Sequence, residues 1–385
     1  MWVWVVNVDQ SSMIKVLVIS NYRETQSVRP EAELFIGLKK AGIEVEIMTY
    51  GDAEYVARFR SAGIRVISFH PEKKWDKAAV KRIREELIAG KHDILHLFNS
   101  KAILNGIRAA QGLPVKVVLY RGYTGNVHWY DPTAWLKYLH PRTDMIWCIS
   151  PAIEAHFSRQ LFFDKKKAVT IPKGHSPDWY AHIDPIDLTA FGVPAGSFAV
   201  SCMANVRPFK GMAYLLEATR QLPPDAKVYW LLIGKGMDAG KNRQCIDDNP
   251  NSQKIKVLGY RQDALRIVAA CNAHVLSSVR GEAMTKAVVE AMSLGVAPII
   301  TDIPGNRGLV LHGQCGLVVP PKDPAALSAA VLSLYHDRER CREYGQRAKE
   351  HIARHFHIRD TIVEMKKLYE GLVGEGKLSN YTTCN

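Results

Sequence analysis

"AHVLSSVRGEAMTKAVVEAMSLGVAPIIT", residues 273–301, reads as strand, loop, helix and strand. AHVLSS (273–278) and VAPIIT (296–301) are apolar runs of strand length, and the segment between them, 285–294, carries its apolar residues at helical spacing. Two strands joined by a crossover helix run parallel, and a parallel sheet needs helices on its faces. The same stretch places Glu282 in the loop and Glu290 in the helix, two carboxylates eight residues apart around an otherwise small and apolar turn and a half.

Outward from this unit the pattern repeats. Strands are expected at 198–205, 227–234, 254–260 and 316–321, with helices at 211–221, 263–271 and 324–336 and a charged helical stretch at 339–374. The first half offers strands at 15–20, 43–50, 63–69, 93–98, 115–121 and 144–150, with helices near 30–41, 51–61, 73–90 and 101–111. A Pro- and Asp-rich stretch, "HIDPIDLTAFGVPAGS", separates the halves. The expected architecture is α/β, with two Rossmann-like domains facing across a cleft. Residues 1–175 form the first domain, 176–355 the second, and 356–385 a tail packing toward the first.

A chain of 385 residues is long enough for two such domains. No apolar run approaches the ~20 residues of a membrane helix. The opening "MWVWVVNVDQSS" lacks the basic start and small-residue cleavage site of a signal peptide, and Met13 is an alternative start before the strand IKVLVIS. The seven cysteines show no C-x-x-C spacing, which argues against zinc or a disulfide framework and for reduced thiols in a cytoplasmic protein. The net charge of +13 is uneven: residues 1–175 hold 26 Lys+Arg against 17 Asp+Glu, and the remainder 25 against 21. A basic lobe suits a phosphorylated substrate, nucleic acid or an anionic membrane surface. Within it, "KKWDKAAVKRIREELIAGK" (73–91) combines seven Lys/Arg with Trp75, Ala79, Val80, Ile83 and Leu87 near helical spacing, suiting either a bilayer surface or an ordinary helix packed on the sheet.

Doubly wound sheets bind ligands beyond the carboxyl ends of their strands. Those ends bring forward "ANVRPFKG" (204–211) with Arg207 and Lys210, "LLIGKG" (231–236) with Gly234 and Gly236, Tyr260, and the Glu282–Glu290 segment. A helix beginning near 284–286 presents free amides and a partial positive charge to phosphate or sugar oxygens, with Ala283, Met284 and Thr285 leaving the backbone approachable. Two cations beside it would hold a diphosphate, and the flanking carboxylates would accept hydrogen bonds from a sugar and a ribose. Each residue also has a plain structural reading: Glu282 as a cap, Glu290 as partner of Lys286 at i−4, and the cations as solvated surface. In the first half, Arg121, Tyr123, His96, His128 and Trp129 are candidate acceptor contacts, the last two lying in "GNVHWYDP". A histidine ending a buried strand, such as His96, is as readily a packed residue.

These motifs resemble the family 4 glycosyltransferases, retaining enzymes of the GT-B fold that use nucleotide sugars; the likeness is strong over 198–336 and weak before 140. The resemblance implies that Glu290 holds the ribose and Glu282 the donor sugar. It implies that Arg207 and Lys210 neutralise the diphosphate, that UDP is the nucleotide, and that the last helices cross back to the first lobe. It further implies transfer of a hexose, without metal or other cofactor, to a glycan or lipid-linked acceptor in surface polysaccharide or lipopolysaccharide synthesis. Where the family has a glycine pair after its first strand, this chain has "SNYRETQSVRPE" (20–31), and "LYRGYTG" stands where a histidine is common.

Other readings are a sugar-nucleotide epimerase of related architecture and a non-catalytic basic nucleic-acid-binding protein. Against the latter, no helix-turn-helix, zinc finger or RNP pattern occurs. "GKGMDAGKN" lacks the P-loop spacing, and D-x-D and H-E-x-x-H are absent. The expected partners are therefore a nucleotide-sugar donor, an acceptor and, at the periphery, anionic membrane, with no nucleic acid.

Overall fold

The computed structural model describes residues 13–23, 25–162 and 164–379; the signal-peptide reading of residues 1–12 and Cys384 lie outside them. Two parallel sheets form. The first contains β1 (Lys15–Ile19), β2 (Glu44–Thr49), β3 (Arg65–Ser68), β4 (Ile94–Leu97), β5 (Lys116–Arg121), β6 (Met145–Cys148) and β7 (Ala168–Thr170), in the order β3-β2-β1-β4-β5-β6-β7. The second contains β8 (Phe198–Met203), β9 (Val228–Ile233), β10 (Ile255–Gly259), β11 (Ala273–Leu276), β12 (Ala297–Thr301) and β13 (Leu317–Val319), in the order β10-β9-β8-β11-β12-β13. Every residue of β4, β11 and β12 is buried, as expected of strands covered on both faces.

The strand order reverses between β1 and β4 in one sheet and between β8 and β11 in the other. These are the points where a doubly wound sheet opens a crevice. The 205–211 and 277–285 loops leave β8 and β11 at that place.

The tail returns to the first lobe, as the resemblance implied. The Arg338–His355 helix packs on β12 and on the Lys286–Ser293 helix. The chain then crosses at His357, bridged to His175, and the Ile358–Ser379 helix packs on the Thr25–Lys40 helix. Gly37 permits this approach, since a Cβ there would lie 2.2 Å from Ile362 Cδ1. Met365 and Tyr369 are fully buried in the first lobe's core.

Among the described residues, one strand and three α-helices escaped the sequence reading: β7 and the Pro132–Trp135, Pro151–Ser158 and Lys241–Asp247 helices. The basic segment forms the Lys77–Gly90 helix, capped by Asp76, whose carboxylate accepts from the amides of Ala78 and Ala79. Most of its apolar stripe is turned inward, with Ala79, Ile83 and Leu87 buried and Val80 packed on the core, while Trp75 stays exposed just before the helix, so the packed-helix reading is realised from Ala79 onward. The six described cysteines are free.

Candidate active site

Two cavities lie between the lobes. The larger, about 750 Å³, is walled on one side by the 122–126 loop after β5 and on the other by Arg207, Phe209, Arg280, Gly281 and Glu282. The second, about 580 Å³, is lined mainly from the second lobe by 203–205, Gly234, Tyr260–Gln262, Lys286 and Glu290, with Arg29 and Glu54 reaching in from the first. Glu282 thus opens on one cavity and Glu290 on the other, at opposite ends of a single loop and helix.

Glu282 is buried and doubly held: its Oε1 accepts from Lys210 Nζ at 2.5 Å and from Ser278 Oγ at 2.6 Å. Lys210 is fixed in turn, because its carbonyl accepts from Ser277 Oγ at 3.0 Å. Gly211 follows with φ +68°, and a Cβ there would sit 2.0 Å from the Ser277 carbonyl oxygen. Only glycine lets the two loops meet so closely. Gly305 does the same behind Glu282, where an added Cβ would lie 1.7 Å from its carbonyl oxygen. Arg207 is exposed on the cavity wall and makes no side-chain hydrogen bond or ion pair among the described residues.

Glu290 is also buried, and Lys286 donates to its carboxylate one helical turn away, so the structural pairing and the cavity position coexist. Burial raises its pKa and the neighbouring Lys286 charge works in the opposite direction. Glu282 does not cap the helix: Thr285 stands at the N-cap, and its hydroxyl donates to Asn306 Oδ1 at 3.1 Å instead of capping. The first amides of the Lys286–Ser293 helix are thereby left without a side-chain acceptor. Gly234, at φ +133° and packed against the Ala204 carbonyl, lines the second cavity; Gly236, at φ +78°, lies against Val206. Tyr260 is 61% exposed on the cavity rim, with Lys235 Nζ 5.3 Å from its ring centroid.

Several expected contacts are corrected. The side chains of Ala283 and Thr285 are buried, and Ala283 and Met284 pack with the first lobe's core, so any contact from this stretch falls to its backbone. His96 has no exposed surface; its Nδ1 meets the Tyr369 hydroxyl at 2.6 Å, and burial pushes its pKa down to about 3. It belongs to the packing of the C-terminal helix. Arg121 is buried and donates to the carbonyls of Tyr123 and Gly125, with its guanidinium 3.6 Å from the Tyr123 ring centroid. Its role is to shape the 122–126 loop, from which Tyr123 does face the larger cavity. His128 stacks on Tyr130, and neither it nor Trp129 lines the two cavities. Sequence reasoning missed Arg29, Phe209, Ser278 and Arg280; the last three lie within a few residues of motifs already marked.

The fold and this site define a glycosyltransferase of the GT-B class. Residues 32–179 match the model described as Glycosyltransferase Family 4, and residues 189–351 that described as Glycosyl transferases group 1. The chain belongs to the family 4 glycosyltransferases. It is 24% identical over 312 residues to the phosphatidyl-myo-inositol mannosyltransferase of Mycolicibacterium smegmatis, covering 79% of this chain and 77% of that one. It is 25% identical over 304 residues to the UDP-Gal:alpha-D-GlcNAc-diphosphoundecaprenol alpha-1,3-galactosyltransferase of Escherichia coli, covering 74% and 76%. Among solved structures, a glycosyltransferase from Rickettsia africae superposes with a TM-score of 0.79 at 17% identity, covering 94% of this chain and 99% of that one. The Anabaena HepE protein in complex with UDP and glucose gives 0.75 at 18%, covering 93% and 100%.

Proposed function

We propose that the protein is a retaining hexosyltransferase that takes its sugar from a UDP-sugar and delivers it to a hydroxyl of a glycan or lipid-linked acceptor in surface polysaccharide synthesis. The observation that carries the proposal is the placement of Glu282 and Glu290 on two interlobe cavities, with Arg207 on the wall of the first, Lys210 bonded to Glu282, and the start of the Lys286–Ser293 helix between the two carboxylates. In this reading the nucleoside occupies the smaller cavity, its base against Tyr260 and its ribose hydroxyls donating to Glu290. The hexose enters the larger cavity beside Glu282, and Tyr123 and the 122–126 loop face the acceptor.

The sugar C1–phosphate oxygen bond breaks as the acceptor oxygen bonds C1 on the same face, and the departing phosphate oxygen takes the acceptor's proton. Arg207, Lys210 and the helix amides stabilise the charge that grows on the leaving diphosphate, and no metal is required. The acceptor class draws on the relatives, two of which are named for phosphatidyl-myo-inositol and for a diphosphoundecaprenol-linked sugar.

Peripheral membrane contact fits the same reading. Among the described residues no helix is long and apolar enough to cross a membrane. Trp129, Tyr130, Trp135, Leu136 and Phe162 are nevertheless exposed. Trp129 lies edge-on to Tyr130 at 5.9 Å and to Phe162 at 5.7 Å, and its carbonyl accepts from Trp135 Nε1 at 2.7 Å, with exposed Lys165 and Lys166 close behind in the chain. Aromatic rings beside lysines suit an anionic interface.

Substitution of the acidic pair tests the proposal. Glu290→Ala should weaken donor binding, because a ribose contact exists in ground and transition states alike, whereas Glu282→Ala should lower turnover more than affinity. Full activity in both variants would refute it.

A further inference from the structure

We propose that Arg29 is the first lobe's ligand for the donor's phosphates, so that the nucleotide sugar is gripped from both sides of the cleft; this rests on the donor reading above. Arg29 sits near the start of the Thr25–Lys40 helix, in the stretch "SNYRETQSVRPE" that follows β1 without a glycine pair. A glycine-poor turn cannot bring bare backbone amides against a phosphate as closely as a glycine pair can. A guanidinium reaching from the next helix supplies donors by another route.

The structure provides the position. Arg29 lines both the 580 Å³ cavity and an adjoining one of about 150 Å³, and Lys286 and Glu290 line both as well. The side chain is half-buried, yet it makes no hydrogen bond or ion pair among the described residues. The guanidinium carbon lies 5.9 Å from the centroid of the Trp179 ring. Two carboxylates, Glu54 and Glu290, share the larger of these cavities with Arg29, and Glu290 is already engaged by Lys286. Arg29 nonetheless acts on Glu290 through space, which places the charge on the ribose side of the cavity.

The segment bearing Arg29 is firmly held. Two residues on, Glu31 accepts from Lys173 Nζ at 2.5 Å, and Lys173 also reaches the Tyr120 hydroxyl at 3.1 Å. Burial works against the charge on Lys173, but Glu31 and Tyr120 outweigh it and raise the pKa. Lys173 lies in the segment leading to the second lobe, so the helix start is tied to the interlobe connection. A guanidinium carried on a held helix, its donors taken up by no other described residue, beside a carboxylate suited to ribose, fits the group that adjoins ribose in a nucleotide. That group is a phosphate, which the planar fork binds in bidentate fashion.

Calorimetry with matched nucleoside diphosphates and nucleosides (UDP and uridine, GDP and guanosine, ADP and adenosine) separates the possibilities. For the base that the wild type accepts, Arg29→Gln should weaken diphosphate binding by about 10- to 100-fold, the range for a charged hydrogen-bonding group, and leave nucleoside binding unchanged. Arg29→Lys should recover only part of the loss, and Glu290→Ala should weaken diphosphate and nucleoside alike. Thermal unfolding of the ligand-free variants at Arg29 should stay close to the wild type, since among the described residues Arg29 makes no hydrogen bond or ion pair and only the distant Trp179 ring contact is lost. Equal diphosphate affinity in wild type and Arg29→Gln, or equal losses for diphosphate and nucleoside, overturns the assignment. A wild type that binds none of the three diphosphates overturns the donor reading itself.

Discussion

Lys210 and Arg207 enter the site on different terms. Lys210 is bonded to a buried carboxylate, while Arg207, on the cavity wall, has no side-chain partner among the described residues. Arg207→Ala should therefore lower kcat by about 10²-fold, the scale for removing one preorganised stabilising group, with little change in melting temperature. Lys210→Ala should lower kcat comparably and also destabilise the fold by about 3 kcal/mol, because Glu282 is left buried with only the Ser278 hydroxyl. Saturating-donor kinetics alongside thermal unfolding makes the comparison, and an unchanged kcat in both variants would return these cations to the solvated surface. Glu290 adds a pH dependence. Its carboxyl pKa is raised by burial, so its contribution to stability is greatest when protonated and is lost as pH rises from the ordinary glutamate value of about 4.3 through the folded value. Ribose hydroxyls donate to the ionised form, so nucleotide affinity should instead fall as pH drops through the folded value, and binding there should release protons. Calorimetry in buffers of differing ionisation enthalpy reads that release; finding the same release in Glu290→Gln would contradict the assignment.

At the scale of elements, the loops depend on glycines as much as on charges. Gly305→Ala places a Cβ against the Glu282 carbonyl oxygen, backbone with little room to move. The variant should lose most of its turnover while retaining nucleoside binding at Tyr260 and Glu290, and normal kcat would show that the loop tolerates displacement. The second lobe was legible in the sequence because its ligands are local: strand, loop and helix in 29 consecutive residues bring both glutamates to the crevice. The Lys241–Asp247 helix was not, since it buries only Ile246 and shows no apolar stripe. β7 is three residues long, too short a run to show a strand pattern of its own. In the first lobe, distant partners decide the outcome. Nothing near His96 announces Tyr369, 273 residues away, and nothing near Arg29 announces Lys286 and Glu290. Arg121 was singled out as a strand-end cation, but the loop it shapes lies only two to four residues on and uses up its donors.

For the whole molecule, the proposed donor site lies in the cleft between the lobes, while Trp129, Tyr130 and Phe162 form an exposed aromatic face on the first lobe. If that face meets a bilayer, the protein should co-sediment with anionic but not neutral vesicles at low salt, and Trp129→Ser with Phe162→Ser should reduce the binding while sparing nucleotide affinity. Absence of binding to anionic vesicles at low salt would remove the membrane from the account. The most direct test of the central claim is a thermal-shift panel of UDP-, GDP- and ADP-sugars with wild type and Glu290→Ala, each in magnesium and in EDTA. A bound ligand raises apparent stability by mass action. The account predicts a clear upward shift with UDP-sugar that is equal in magnesium and EDTA and much reduced in Glu290→Ala; no shift with any nucleotide sugar, or one that Glu290→Ala retains in full, would contradict it.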